Sequence, residues 1–246
     1  MSLLDGFFAK PRKPSGRPAN ASPVPDALPN GRNSFVLLMA ASKGGAGKSL
    51  ISIHLATLAA QSGFRSLIID TDIEGDQLSC IAWSKLRSDT CLKAIPAKLG
   101  QAPRAIEWAR RQGFEFIVID TAGRDLAAMH ATMMVADIMV TPAQPSPLDL
   151  RATAPIRRLW RASDTPAALI LNGVTGESGT RARFYMQRYG DIGHVLPAAV
   201  GRRVQYADAI GMGLGVTEYL PGGEGDMEMR RLLRAIFQRA ERKALS

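Results

Sequence analysis

Phe35-Val-Leu-Leu-Met-Ala-Ala-Ser42-Lys43-Gly44-Gly45-Ala46-Gly47-Lys48-Ser49-Leu50 is an apolar run, then a glycine-rich turn with two lysines, then the start of a helix-forming stretch. A strand that breaks on glycines and restarts as a helix is a phosphate cradle. Gly44, Gly45 and Gly47 lack a Cβ, so successive backbone N–H groups can curl around an anion at a helix N-terminus, where the helix dipole favours negative charge. Lys48 is placed to meet the outer phosphates of a nucleotide, and the Ser49 hydroxyl to hold Mg²⁺. The loop departs from G-x-x-x-x-G-K-[ST] in two ways: Ser42 stands at the first glycine position, and Lys43 precedes the glycine pair.

One subunit holding one triphosphate has no need of a second lysine five positions before Lys48. The pattern Lys43-Gly-Gly-x-Gly-Lys48-Ser49 resembles the deviant Walker A motif of the ParA/MinD group of ATPases, and the similarity runs over roughly residues 34–240. The resemblance implies that Lys43 reaches across a nucleotide-sandwich homodimer to the partner's phosphates. It also implies ATP and Mg²⁺ as ligands, with Gly44, Gly45, Ala46, Gly47, Lys48, Ser49 and Leu50 forming the nucleotide-binding segment. The nearest likeness is to the small plasmid-type ParA partition proteins.

From Phe35 onward, apolar strand-like runs alternate with helical periods, which predicts a mainly parallel twisted sheet with helices on both faces. Strands are expected at 35–41, 66–70, 92–96, 114–120, 137–141, 167–172 and 194–198. Helices are expected at 49–62, 76–88, 101–112, 125–135, 147–162, 178–189, 204–211 and 226–243. The chain of 246 residues with 46% hydrophobic content suits one α/β domain over 34–246. Residues 9–33 contain six prolines and little apolar content, so residues 1–33 read as a disordered, proline-rich basic tail.

The second strand ends in Ile69-Asp70-Thr71-Asp72-Ile73-Glu74-Gly75-Asp76. Carboxylates at i and i+2 can leave a strand end on one side and face a Mg²⁺-nucleotide. The run resembles the D-x-D-P-Q-G segment of ParA proteins, with Ile73-Glu74 replacing Pro-Gln. By that resemblance Asp72 orients the attacking water and Asp70 supports the phosphate loop. The fourth strand ends in Ile117-Val118-Ile119-Asp120-Thr121-Ala122-Gly123, a Walker B reading in which Asp120 holds Mg²⁺ through water and Gly123 belongs to a switch. The segment from Ala136 to Asp149, with its Pro145-Ser-Pro-Leu-Asp149 end, is similar to a ParA segment near the dimer interface, which makes Pro145 and Asp149 interface candidates. Asn172 is similar to the position that hydrogen-bonds adenine; as a strand-end Asn it is equally a turn former.

The net charge of +9 is unevenly spread: residues 34–150 hold eleven Lys/Arg and eleven Asp/Glu, whereas 151–246 hold fifteen against nine. An arginine-rich half points to a polyanion, and equally to a solvated basic surface. The ParA resemblance makes Arg202 and Arg231 part of a nonspecific double-stranded DNA surface, with Arg203 and Arg230 as their neighbours. It further implies a ParB-like or cargo-adaptor partner that stimulates hydrolysis, and a cytoplasmic, nucleoid-associated protein. The last helix is amphipathic and basic, which admits docking on the domain, a DNA-facing surface or a MinD-like membrane-surface role. Docking plus DNA is the favoured combination. Among enzymes sharing the fold, an iron-sulfur reductase requires cluster cysteines after the Walker B strand, and Cys80 and Cys91 both precede it. A tyrosine kinase requires a tyrosine-rich tail, and a metabolic ligase remains as the enzyme alternative.

Overall fold

The computed structural model of the chain describes residues 27–72, 79–87, 92–122, 125–175 and 179–244. Its strands are β1 (Phe35–Met39), β2 (Ser66–Asp70), β3 (Leu92–Pro96), β4 (Phe116–Asp120), β5 (Ile138–Ala143), β6 (Ala167–Val174) and β7 (Val195–Gly201). The helices are α1 (Lys48–Gln61), α2 (Ser79–Leu86), α3 (Ala102–Arg111), α4 (Leu126–Met133), α5 (Pro147–Ala152), α6 (Ala154–Arg161), α7 (Gly179–Gly190), α8 (Val204–Gly211), α9 (Val216–Tyr219) and α10 (Glu224–Ala244). All seven strands are parallel, in the order β3-β2-β4-β1-β5-β6-β7.

Every residue of β1 is buried, because a parallel sheet is covered on both faces by its crossover helices. Alternation along the strand divides its side chains between two cores. Phe35, Leu37 and Met39 pack with α1 and α10, while Val36 and Leu38 pack with α3, α4 and α6. The chain leaves β1 toward β2 on one side and later crosses β1 to reach β5 on the other, so β1 lies at the topological switch point where open α/β sheets bind ligands. Register carries the acidic residues there, since Asp120 aligns with Met39 of β1 on one side and Asp70 of β2 on the other.

Three expectations need correction. The helix expected over 147–162 breaks at Thr153 into α5 and α6. Pro155 supplies the reason: it has no N–H to donate to the carbonyl four residues back, and its ring crowds that turn. Residues 27–33, assigned to the tail, are part of the domain, with Leu28 buried in the core and Arg32 paired with Asp137. Residues 1–26 lie outside the described residues. A short helix, α9, appears where none was expected. The amphipathic last helix is docked: Met229, Leu232, Leu233, Ile236 and Phe237 are in the core, and the Phe237 ring meets Phe35 edge-on at 4.9 Å. Its apolar face is therefore spent within the domain. Among the described residues no helix is long and apolar enough to cross a membrane.

Candidate nucleotide site

The glycine-rich loop leaves the carboxyl end of β1 and enters α1 through Gly47, whose φ of 95° is left-handed; Gly45 has φ 74°. Gly47 is required twice over, by that φ and because a Cβ there would come within 2.0 Å of Asn172 Nδ2. Asn172 lies against the loop and donates to Ala46 O at 2.8 Å. Its amide N–H therefore braces the phosphate loop, a role that strand-end position alone did not reveal. Gln144, also unanticipated, donates from Nε2 to Gly45 O at 3.1 Å.

Behind the loop, the Ser49 hydroxyl donates to Asp120 Oδ2 at 2.5 Å and the Ser52 hydroxyl to Asp120 Oδ1 at 3.0 Å. Ser52 is one helical turn after Ser49 and so presents its hydroxyl on the same face. That i, i+3 spacing was a readable signal. Asp120 is pushed up to about 6, chiefly by burial and further by the Asp70 charge, against the stabilising pull of Ser49, Lys48 and Ser52. Burial also raises Asp70, which is partly held down by N–H groups including those of Asp72 (3.1 Å to Oδ1) and Cys80 (3.3 Å to Oδ2). Cys80 is a buried thiol whose Sγ lies 3.5 Å from Asp120 Oδ2.

Lys48 is buried, with its ammonium 3.4 Å from Lys43 O. Burial lowers its pKa, and the carboxylates of Asp120 and then Asp72 oppose that shift. Lys48, Asp120 and Asp72 thus share one electrostatic neighbourhood at the carboxyl ends of β1, β2 and β4. Two carboxylates, buried Asp120 and half-buried Asp72, facing a single buried ammonium leave negative charge that a divalent cation would neutralise, and Ser49 and Asp120 are the oxygen donors suited to it. Residues 73–78 and Gly123, the remainder of both acidic motifs, lie outside the described residues.

Lys43 points elsewhere. Its ammonium donates to Asp149 Oδ2 of the same chain at 2.7 Å. Asp149 is buried, which would raise its pKa, yet bonds from Lys43, Ser146 and the Gln144 N–H hold it below the usual carboxylate value. The fold turns Asp149, a candidate interface residue, inward, and its carboxylate also accepts from the Ser146 hydroxyl that caps α5. Pro145 is half-buried and its carbonyl accepts from Arg181 at 2.9 Å. Exposed Leu148 adjoins them.

The arginines divide. Arg202 and Arg231 are exposed. Arg230 is 6% exposed and donates from Nε to Asp226 Oδ1 at 2.6 Å, which corrects its place among surface candidates. Arg203 is held by Glu228 at 2.7 Å and by Glu224, so its guanidinium is largely committed inside the fold. Asp226 and Arg230 are at i, i+4, which was the sequence signal for that pair.

Residues 37–241 match the family described as CobQ/CobB/MinD/ParA nucleotide binding domain. A curated relative, "Maintenance of carboxysome distribution protein A" of Halothiobacillus neapolitanus, is 30% identical over 191 residues, covering 74% of this chain and 87% of the relative. Among solved structures, the septum site-determining protein MinD of Pyrococcus horikoshii, complexed with Mg-ADP, superposes with a TM-score of 0.65 at 16% identity, covering 81% of this chain and 94% of that one. A putative plasmid partition protein of Borrelia burgdorferi bound to AMPPNP gives a TM-score of 0.61 at 16% identity, covering 83% and 99%.

Proposed function

Because this chain belongs to the CobQ/CobB/MinD/ParA family of nucleotide-binding domains, we propose that it is a Mg²⁺-dependent ATPase that dimerises on ATP and distributes a large cargo over nonspecific DNA. The observation that carries the reading is the convergence of Lys48, Ser49, Asp120 and Asp72 at the switch point of the sheet. Glycine-loop N–H groups and Lys48 bind the phosphates. Ser49 and Asp120 would hold Mg²⁺, which would supply positive charge at the transferring phosphoryl group. Asp72 orients the attacking water, and Asn172 keeps the loop carbonyl at Ala46 turned away from the phosphates.

Lys43 closes the dimer by exchanging Asp149 for the partner's phosphates. That exchange keeps the lysine ordered before assembly, since its ammonium already has a carboxylate within 2.7 Å. Exposed Arg202 and Arg231 contact duplex phosphates, and an adaptor on the cargo stimulates hydrolysis. The similarity to a carboxysome distribution protein favours a large protein assembly as cargo over a plasmid. The burial of the apolar face of α10 argues against the MinD-like membrane-surface reading of that helix.

The test is binding to a nonspecific duplex with ATP, with ADP and without nucleotide across a salt series, for wild type and Lys43→Ala. ATP-dependent binding that weakens with salt and is lost in the variant is the expected result. Absence of DNA binding in every state would overturn the DNA part of the reading.

A further inference from the structure

At the opposite end of the sheet from the phosphate loop, a cavity of about 210 Å³ opens between the C-terminal end of α6, the start of β6 and the turn before β7. Arg157, Arg161 and Arg239 line it, and no carboxylate does. Asp164, in the adjoining loop, is exposed and does not line the cavity. The side chains of Arg157 and Arg161 have no ion-pair or hydrogen-bond partner among the described residues. Arg239 is fixed from behind, its Nε donating to Ala167 O at 3.4 Å. The wall is built rather than incidental. The Trp160 ring lies against Gly193, where a Cβ would come within 2.7 Å of it. Two N–H donors in that wall, Arg157 Nε and Trp160 Nε1, are buried without an acceptor.

Three guanidinium groups converging without a counter-charge repel one another, and the fold tolerates this where an anion offsets it. We propose that this cavity is a second anion site, separate from the nucleotide site, that takes a dianionic phosphoryl group. The charge count favours phosphate over a single carboxylate, because three arginines against one negative charge leave most of the repulsion in place. Guanidinium forks also match phosphate oxygens in geometry. The cavity is below the roughly 300–1,000 Å³ of drug-sized ligand pockets, so it suits a phosphate group rather than a whole nucleotide. Asn172 lies five residue steps along β6 from Ala167, about 16 Å, so one phosphoryl group cannot occupy both sites.

Inorganic phosphate is the probe, titrated by calorimetry into the full chain kept saturated with Mg-ADP so that the phosphate loop is occupied. Wild type is expected to bind one phosphate saturably. Arg157→Gln with Arg161→Gln should weaken binding at least tenfold, while acetate at the same ionic strength should produce no saturable signal. Displacement of phosphate by a short duplex would identify the natural source as a nucleic-acid phosphate, and lack of displacement would identify it as free phosphate; both support the site. Unsaturable binding, or equal affinity in the double variant with an unchanged unfolding midpoint, would overturn it. Arg239→Gln, which keeps an amide donor for Ala167 O, is the second variant, and unchanged phosphate affinity there would remove Arg239 from the site. Neither outcome depends on whether Arg202 and Arg231 bind DNA.

Discussion

His54 offers a prediction whose size follows from the structure. It sits on the buried side of α1, fully buried, with Nδ1 accepting the Val216 N–H at 3.0 Å and its ring 5.0 Å from Tyr206. Burial drives its pKa down from 6.5 to about 3. Between those values the unfolded chain binds a proton that the folded chain does not. His54 therefore contributes stability that is fully present above pH 6.5 and is lost as pH falls toward 3. From pH 7.5 to 4.5 the loss comes to about 3 kcal/mol, by the linkage relation at about 1.36 kcal/mol per pH unit. Asp120 works the other way. Raised from 3.8 to about 6, it binds its proton earlier in the folded state and returns about 2 kcal/mol over the same range in Mg²⁺-free solution. Wild type alone would show a shallow profile, so the informative quantity is the difference from His54→Gln, which keeps a side-chain acceptor for Val216. Urea unfolding at half-unit pH steps should give two curves that converge as pH falls, the gap shrinking by about 3 kcal/mol. Parallel curves would refute the argument, because they would mean that His54 titrates alike in the folded and unfolded chains.

Asp72→Ala is expected to retain ATP binding and the ATP-bound dimer while turnover falls by about two orders of magnitude, the usual scale for a group that positions a proton acceptor; normal turnover would place the water-orienting group elsewhere. Arg202→Glu with Arg231→Glu should abolish duplex binding with little effect on unfolding. Arg230→Ala should instead cost about 3–5 kcal/mol of stability, because it leaves the Asp226 carboxylate, 1% exposed, buried without its partner. Equal stability of the Arg230 and Arg231 single variants, read by thermal unfolding, would contradict the division of these two neighbours.

What the sequence made legible was whatever chain proximity or strand ends impose. The phosphate loop, Asp70 and Asp120 follow from apolar runs that stop on glycine or aspartate, and parallel register then places those ends side by side. The split at Thr153 was legible too, since Pro155 forbids a continuous helix. Pairings between distant segments were not. Lys43 and Asp149 are 106 residues apart, and nothing local in either marks the other. The same is true of the contacts that hold the segment from Arg203 to Glu218. His54 of α1 accepts from Val216, and Trp83 of α2 donates from Nε1 to Leu214 O at 3.1 Å. Arg87, just after α2, grips Glu218 through both oxygens at 2.8 and 2.9 Å and donates to Gly213 O at 3.1 Å. Tyr206 donates to Glu228 at 2.6 Å, and the same carboxylate receives Arg203 and the Gly201 N–H. Each of these bonds is a side chain satisfying a group that tertiary placement alone brings near it, so no periodicity announces it. Their distribution has a mechanical consequence. α1 begins at the phosphate loop and α2 follows the acidic end of β2; these helices and Arg87 hold residues 213–218, while Glu228 of α10 holds Arg203 and Tyr206. The Arg87–Glu218 pair is the ionic link in this set, with the Arg87 side chain 4% exposed and the Glu218 side chain 19% exposed. Opening that pair would leave a largely desolvated guanidinium without its carboxylate, while Gly213 O and the Gly215 N–H would still meet the two groups. The segment before α10 is therefore tied to α1, α2 and the residue after α2 by contacts that are costly to break.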